Sequence, residues 1–413
     1  MSKSVVLGDI ASIITGPFGS QLHVSDYQDT GIPVIMPQNI MDRKVDYTDI
    51  ACVSDVDFKR LIRYATQKND IVFPRRGDIE KHAYITTDDD ILCGTGCFRV
   101  RITDPEVYPL YVSMYLNRPE SKRWLTTHAV GTNMPNLNTD IISAIPIELP
   151  DIEEQIKLAD FIQSIEDKIG NNNTINNNLA NQISTLYDYW FVQFDFPNNN
   201  KLPYRINHGR FVYNSQLKLN IPEEWEVIKI SDITKITWGQ CPDGTHILDK
   251  STDKANTFDY CSGAGDMKGG FVVDCQAKTD DSRRFANCGD ILLSIAGKIG
   301  DMCVVDHRIS LGRAAMAFTC NNKGEEVFVY SVLKNFNKKI TTISSGSIQK
   351  VINKDHIDEL FLPYNKEIVA EFCRTMSPLY NAIIDNTLEN RKLTAFRDWL
   401  LPILMNGQAN IDD

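Results

Sequence analysis

Val130-Gly131-Thr132-Asn133-Met134-Pro135-Asn136-Leu137-Asn138-Thr139-Asp140 is followed by Ile147-Glu148-Leu149-Pro150 and a long helical pattern ending near Trp190. Ser345-Gly346-Ser347-Ile348-Gln349-Lys350-Val351-Ile352-Asn353-Lys354-Asp355 is followed by Leu360-Phe361-Leu362-Pro363 and a second long helical pattern. Asn138 matches Asn353, Asp140 matches Asp355, and Leu149-Pro150 matches Leu362-Pro363. A polar glycine loop, a short strand, a proline and a helix occur twice in one order. Internal repetition is read first because it fixes the architecture. The period is too long for a solenoid, which leaves two copies of a domain-plus-helix module. Two related heads suit a target with two related halves.

The helical patterns share a seam. Leu158, Ile162, Ile165, Ile169, Asn172, Asn176, Leu179, Ile183, Leu186 and Trp190 alternate steps of four and three, a period of 3.5. Phe372, Met376, Leu379, Ile383, Asn386, Asn390, Leu393, Arg397, Leu400 and Leu404 repeat those steps, with Arg397 the one poor fit. Both seams carry two Asn at the same positions. Polar seam residues weaken a coiled coil but fix its register and partner. The run Asn171–Asn178 would be a poor helix in isolation and needs tertiary packing. The intervening head is long enough for parallel or antiparallel pairing. The antiparallel form relates the modules by a pseudo-two-fold axis and pairs Asn172 with Asn390 and Asn176 with Asn386. It predicts a rod of about 50 Å at 1.5 Å per residue, with a head at each end.

Composition bounds the rest. At 413 residues the chain can hold two or three cores. It has no apolar run of the roughly 18 residues a membrane span needs. Met1–Asp9 meets an acid too early for a secretory signal. Ten scattered Cys suit reduced thiols and a cytoplasmic location. Cys93-Gly94-Thr95-Gly96-Cys97 has no nearby His and reads as a glycine-rich strand segment, not a metal site.

The net charge of −11 argues against a simple nucleic-acid reading, but its distribution matters more. Residues 151–195 carry −6, while residues 59–82 carry +4 through Lys59, Arg60, Arg63, Lys68, Arg75, Arg76 and Lys81. The acidic helix would repel phosphates, so it suits a protein partner.

Head one, roughly 1–150, reads as mixed α/β. Gly31–Met36 and Asp70–Phe73 are predicted strands and Tyr108–Leu116 a predicted helix. In head two, roughly 215–363, Trp225–Ile233, Gly289–Ser294 and Val327–Leu333 parallel the corresponding segments. The segment 195–214, with Pro197-Asn198-Asn199-Asn200, reads as a linker. The heads diverge at 22–69 and 240–289, as two readers of different targets would.

The chain resembles the specificity subunit of Type I restriction–modification systems. The residues that carry this are Leu7-Gly8-Asp9-Ile10, Thr15-Gly16-Pro17-Phe18-Gly19-Ser20, Gly31-Ile32-Pro33 with Gln38-Asn39-Ile40, and Leu149-Pro150 with Glu154-Gln155. In the second half they are Ile221-Pro222-Glu223-Glu224-Trp225, Leu362-Pro363 and Leu400–Gln408. The second copy lacks the Glu-Gln pair at Lys366-Glu367-Ile368, which leaves its helix start open. The resemblance implies an α+β fold: two mixed α/β target recognition domains separated by a pair of long antiparallel coiled-coil helices. The implied boundaries are 1–150, 151–195, 196–363 and 364–413. Each domain would read one half of a bipartite, asymmetric double-stranded DNA target. The helix pair would set the spacing and dock two modification (methyltransferase) subunits, which would hold S-adenosylmethionine. Restriction (motor–nuclease) subunits would join that assembly, and this chain would hold no cofactor.

Candidate DNA contacts in head one are Ser20, Arg75, Arg76, Lys81, His82, Thr132 and Asn133. In head two they are Arg283, Arg284, Lys298, Ser347, Gln349 and Lys350. Arg75 and Arg76 end a strand before Gly77, and Arg either pairs with guanine or holds phosphate. The Gly131 and Gly346 loops offer amide and hydroxyl groups suited to adenine or phosphate, or to local turn capping. There is no Gly-x-x-x-x-Gly-Lys-Ser/Thr phosphate loop, no Asn/Asp-Pro-Pro-Tyr segment and no metal spacing among the seven His. Ser262-Gly263-Ala264-Gly265-Asp266 has no helix pattern after it, unlike a dinucleotide loop. The alternatives are a nuclease with an unrecognised carboxylate site and a structural coiled-coil adaptor.

Overall fold

The computed structural model describes residues 3–131, 134–198, 200–268, 270–343, 352, 357 and 359–408. The chain divides into two compact units, residues 1–168 with 393–413 and residues 169–392. Each long helix contributes to both: Ile152–Tyr187, continued by a π-turn over Asp188–Val192, and Lys366–Met405.

In the first unit, Ala11–Thr15, Cys97–Ile102, Ile71–Pro74 and Ala83–Tyr84 form an antiparallel sheet in that order. Ile71, Val72, Phe73, Phe98 and Val100 are buried along it, because β-branched and aromatic residues suit a pleated, covered surface. A second sheet runs Tyr27–Gln28, Cys52–Val53, Ile32–Ile35, Leu92–Cys93. Its last pair is parallel. Lys3–Val6 pairs with Pro146–Leu149, the strand that leads into the first long helix.

The second unit repeats this plan. Thr234–Trp238, Ala315–Cys320, Ile291–Ser294 and Met302–Val304 form its four-stranded sheet. Ile247–Asp249, Ala277–Thr279, Phe258–Cys261, Ile309–Leu311 and Phe285–Ala286 form the second. Glu226–Lys229 pairs with Phe361–Tyr364 ahead of the second long helix. Register makes the correspondence residue by residue: Ile71 faces Tyr84 as Ile291 faces Val304.

The helices run antiparallel. In the second unit Asn172 Nδ2 donates to Asn390 Oδ1 at 2.9 Å, and Asn386 Nδ2 donates to Asn176 Oδ1 at 2.9 Å. One number falls as the other rises, which is the antiparallel sense. In the first unit Leu158 and Ile162 share a core with Leu401 and Leu404. The helix starts differ as the sequence does. Asp151 Oδ1 caps the first, accepting from Glu154 N at 3.0 Å. Asn365 Oδ1 caps the second, accepting from Ile368 N at 3.1 Å, so the missing Glu-Gln pair is not needed.

The segment 195–214 is more than a tether. Phe194 and Phe196 are buried against Trp225, and Phe196 stacks on Tyr204 with centroids 4.7 Å apart. Phe211–Asn214 pairs with Leu219–Pro222. Its aromatics outweigh the turn-forming Pro-Asn run that marks it as a linker.

Candidate nucleic-acid interface

One end of the four-stranded sheet in the first unit gathers the loops that matter. Ala11–Thr15 exits there into Gly16–Gln21, Ile71–Pro74 exits into Arg75–Lys81, and Cys97–Ile102 enters from Gly94–Gly96. Backbone bonds order them side by side. Gly16 N donates to Cys97 O at 2.9 Å, Arg75 N to Gly96 O at 2.7 Å, and Leu137 N to Arg75 O at 2.9 Å. Arg76 forms a bridge with Asn136, which also bridges Val130. The Gly131 loop and the Arg75-Arg76 turn are therefore neighbours.

Close packing makes this platform stiff. A Cβ on Gly16 would sit 2.1 Å from Gly94 O, so no other residue fits without moving backbone. Thr95 Oγ1 donates to Pro17 O at 2.8 Å. Gly77 turns the Arg75–Lys81 loop at φ +85. The second unit builds the same end. A Cβ on Gly239 would sit 2.0 Å from Gly312 O, Ile295 N donates to Ala314 O at 2.9 Å, and Gly297 turns at φ +76. Ile352 N donates to Ile295 O at 3.2 Å, as Leu137 N does to Arg75 O.

The expected contact residues fall unequally on this frame. Ser20 is exposed on the Gly16 loop. Arg76 is exposed with no ion-pair partner among the described residues. Arg75 is half-buried, and its Nε is enclosed with no hydrogen-bond partner among the described residues. Lys81 pairs with Asp78 at 2.8 Å, and Lys298 pairs with Asp301 at 2.9 Å. Register places Lys298 where Asp78 stands and Asp301 where Lys81 stands, so the same ion pair occurs with its polarity reversed. Arg283 is exposed and held by Asp281 at 2.9 Å. Arg284 is exposed, and its carbonyl accepts from Leu311 N, whose own carbonyl accepts from Gln240 N. Thr132, Asn133, Ser347, Gln349 and Lys350 lie outside the described residues, as do Asn353 and Asp355 of the repeat.

His82 is a correction. Expected at the DNA surface beside Arg75 and Arg76, it is 1% exposed. Its Nε2 lies 2.9 Å from Ser113 Oγ, and its ring tilts against Phe73. Burial, with the nearby Arg43 guanidinium, pushes its pKa down to about 3, so it is a neutral core residue at ordinary pH. Met302, a partly buried apolar residue, holds this register in the second unit. The basic run 59–82 also divides. Arg60 reaches Asp57 and Asp26, and Arg63 lies over the Tyr64 ring, both on the short helical segments after Cys52–Val53 and not on the loop platform.

Arg397, the poor seam fit, is explained by Glu166. Glu166 Oε1 lies 3.6 Å from Arg397, and its other oxygen pairs with buried Arg43. Three residues escaped sequence reasoning: Gly94, Gly312 and the exposed Arg313. The signal was there, since the two glycines face Gly16 and Gly239 and Arg313 follows the second, but only pairing across strands reveals it. Among the described residues no cluster of His, Cys, Asp or Glu is placed to hold a metal, and no helix is long and apolar enough to cross a membrane. The Ser262–Asp266 turn closes on itself, with Asp266 accepting from Ser262 N, Ser262 Oγ and Gln276 N.

Comparison with known proteins adds the family. The Type I restriction modification DNA specificity domain matches residues 2–181 and again 222–392, one copy per repeat. The chain is 22% identical over 418 residues to the type I restriction enzyme MjaIX specificity subunit of Methanocaldococcus jannaschii, covering 98% of this chain and 93% of that one. It is 20% identical over 470 residues to the HindI specificity subunit of Haemophilus influenzae, covering 98% and 99%. The solved S subunit of a type I system from M. genitalium shares the fold, with a TM-score of 0.59 and 15% identity over 100% of this chain and 97% of that one.

Proposed function

The chain belongs to the Type I restriction modification DNA specificity family, and from that premise we propose how this member works. It is the sequence-reading subunit of a Type I restriction–modification complex. Each sheet-end loop platform reads one half of a bipartite DNA target. The observation that carries this reading is the duplicated platform itself, stiffened by Gly16 against Gly94 in one copy and Gly239 against Gly312 in the other. Base readout needs side chains held in fixed places, and phosphate contacts to set the register. Arg76, Arg284 and Arg313 are exposed around these platforms.

Methyl transfer and cleavage belong in this proposal to partner subunits, with S-adenosylmethionine bound by two modification subunits docked along the acidic helix. Restriction subunits complete the assembly in the cytoplasm. Sequencing of methylated DNA from cells that express the modification subunits, with and without this chain, tests the reading. One bipartite motif should be methylated only when the chain is present. Methylation that persists without it, or that the isolated chain performs, contradicts the proposal.

A further inference from the structure

Arg43, in the stretch 22–69 where the heads diverge, joins the first head to both long helices. It holds φ +56, a left-handed conformation that glycine or asparagine adopts at less cost, so the position is kept for its side chain. Arg43 Nε donates to Ser113 Oγ at 3.1 Å, on the helix Pro109–Leu116. Its Nη2 donates to Gln163 Oε1 at 3.3 Å, and its Nη1 pairs with Glu166, both on the first long helix. Glu166 in turn meets Arg397 on the second. All five residues belong to the first unit.

The second unit builds the same joint without charge. The Arg43 carbonyl accepts from Tyr84 N as the Phe271 carbonyl accepts from Val304 N, and Tyr84 and Val304 share a register, so Phe271 stands in Arg43's place. Matching Leu116 with Leu333 sets Tyr330 in the place of Ser113, and matching Ile165 with Leu379 sets Tyr380 in the place of Glu166. Phe271 packs on Tyr330 and Tyr380 with centroids 4.8 and 5.2 Å away, and the two tyrosines lie 5.6 Å apart. Burying charge costs desolvation, so cohesion alone favours the aromatic form. The side chains of Arg43 and Glu166 are only 5% and 13% exposed. A buried ion pair differs from packed rings in being directional, because its hydrogen bonds are satisfied in one arrangement.

We infer that Arg43 and Glu166 are positioning residues: their ion pair fixes the orientation of the first recognition domain on its helices, and through it the length of the unread gap that the complex accepts. The inference rests on the proposed DNA-reading role and on the spacing role that the family resemblance implies for the helices.

The test maps methylated DNA in cells that express the chain with its modification subunits. The wild-type complex should methylate one motif with one gap. Glu166→Gln keeps the size of the side chain and removes its charge. It should leave both half-sites unchanged and add methylation at gaps one base pair shorter or longer. Arg43→Lys keeps the charge without the fork of donors and should do the same to a lesser degree. Leu125→Ala is the control for a purely structural effect. It truncates a 1%-exposed core residue of the same unit, and should lower the melting temperature without loosening the gap. The inference is overturned if the Glu166→Gln complex keeps the single gap, or if Leu125→Ala loosens it as much. Should Glu166→Gln fail to assemble, Arg43→Lys decides the question by the same two outcomes. A wild-type complex that methylates no bipartite motif would instead defeat the DNA-reading role, and one that accepts several gaps would defeat the spacing role.

Discussion

At the scale of single residues, Arg75 and Arg76 differ in what surrounds them although they are adjacent. Arg76 is exposed, and Arg75 is half-buried with an enclosed, unpartnered Nε. Replacing both with Ala should lower the DNA affinity of the assembled complex and flatten its dependence on salt, by about one in slope for each phosphate no longer neutralised. Unchanged affinity and slope in a salt titration would remove both residues from the interface. His82 makes a different prediction. Its folded pKa of about 3 lies below the 6.5 of a free imidazole. The unfolded chain therefore takes up a proton first as pH falls. Stability from this group is intact above about pH 6.5 and drains away toward pH 3, with a slope of up to about 1.4 kcal/mol per pH unit. His82→Met, the residue that the second unit uses, should flatten the fall in melting temperature between pH 7.5 and 4.5. An identical slope in the variant would show that other groups govern it.

At the scale of elements, the helix seam was the most legible part of the sequence, because a 3.5-residue period has few other meanings. The pairs Asn172–Asn390 and Asn176–Asn386 follow from matching the two seams, and Glu389 adds a second acceptor for Asn172 at 2.7 Å. Asn172 is 1% exposed. Asn172→Ala removes the donor that Asn390 Oδ1 and one Glu389 carboxylate oxygen accept from, and should cost about 1–3 kcal/mol in thermal or urea unfolding. A neutral substitution would mean that water satisfies those groups. Arg397 was not legible as a seam residue. Its carboxylate partner Glu166 is itself tied to Arg43, far away in sequence, and periodicity carries no information about such a link. The loop platforms were half legible. Gly16-Pro17 marks a turn, but the demand for glycine comes from the Gly94 carbonyl on another strand. His82 misled for a related reason: position in a basic run says nothing about which face of an edge strand a side chain takes.

At the scale of the whole molecule, the repeat made the architecture readable before any element was certain. Two family matches, two sheets of like register and two capped long helices all follow the duplication. What a sequence could not give was the identity of the bases, because loop geometry decides which side chains reach them. The two platforms are proposed to read, and the family resemblance implies that the antiparallel helices set the distance between what is read. The most direct test inserts one heptad into each helix at facing positions beside Asn172 and Asn390, which keeps the seam in phase. Seven residues add about 10 Å of helix, or about three base pairs of duplex. The methylated motif, mapped by sequencing, should keep both half-sites and widen its unread gap by about that amount. A motif with its original spacing would contradict a spacing role for the helices.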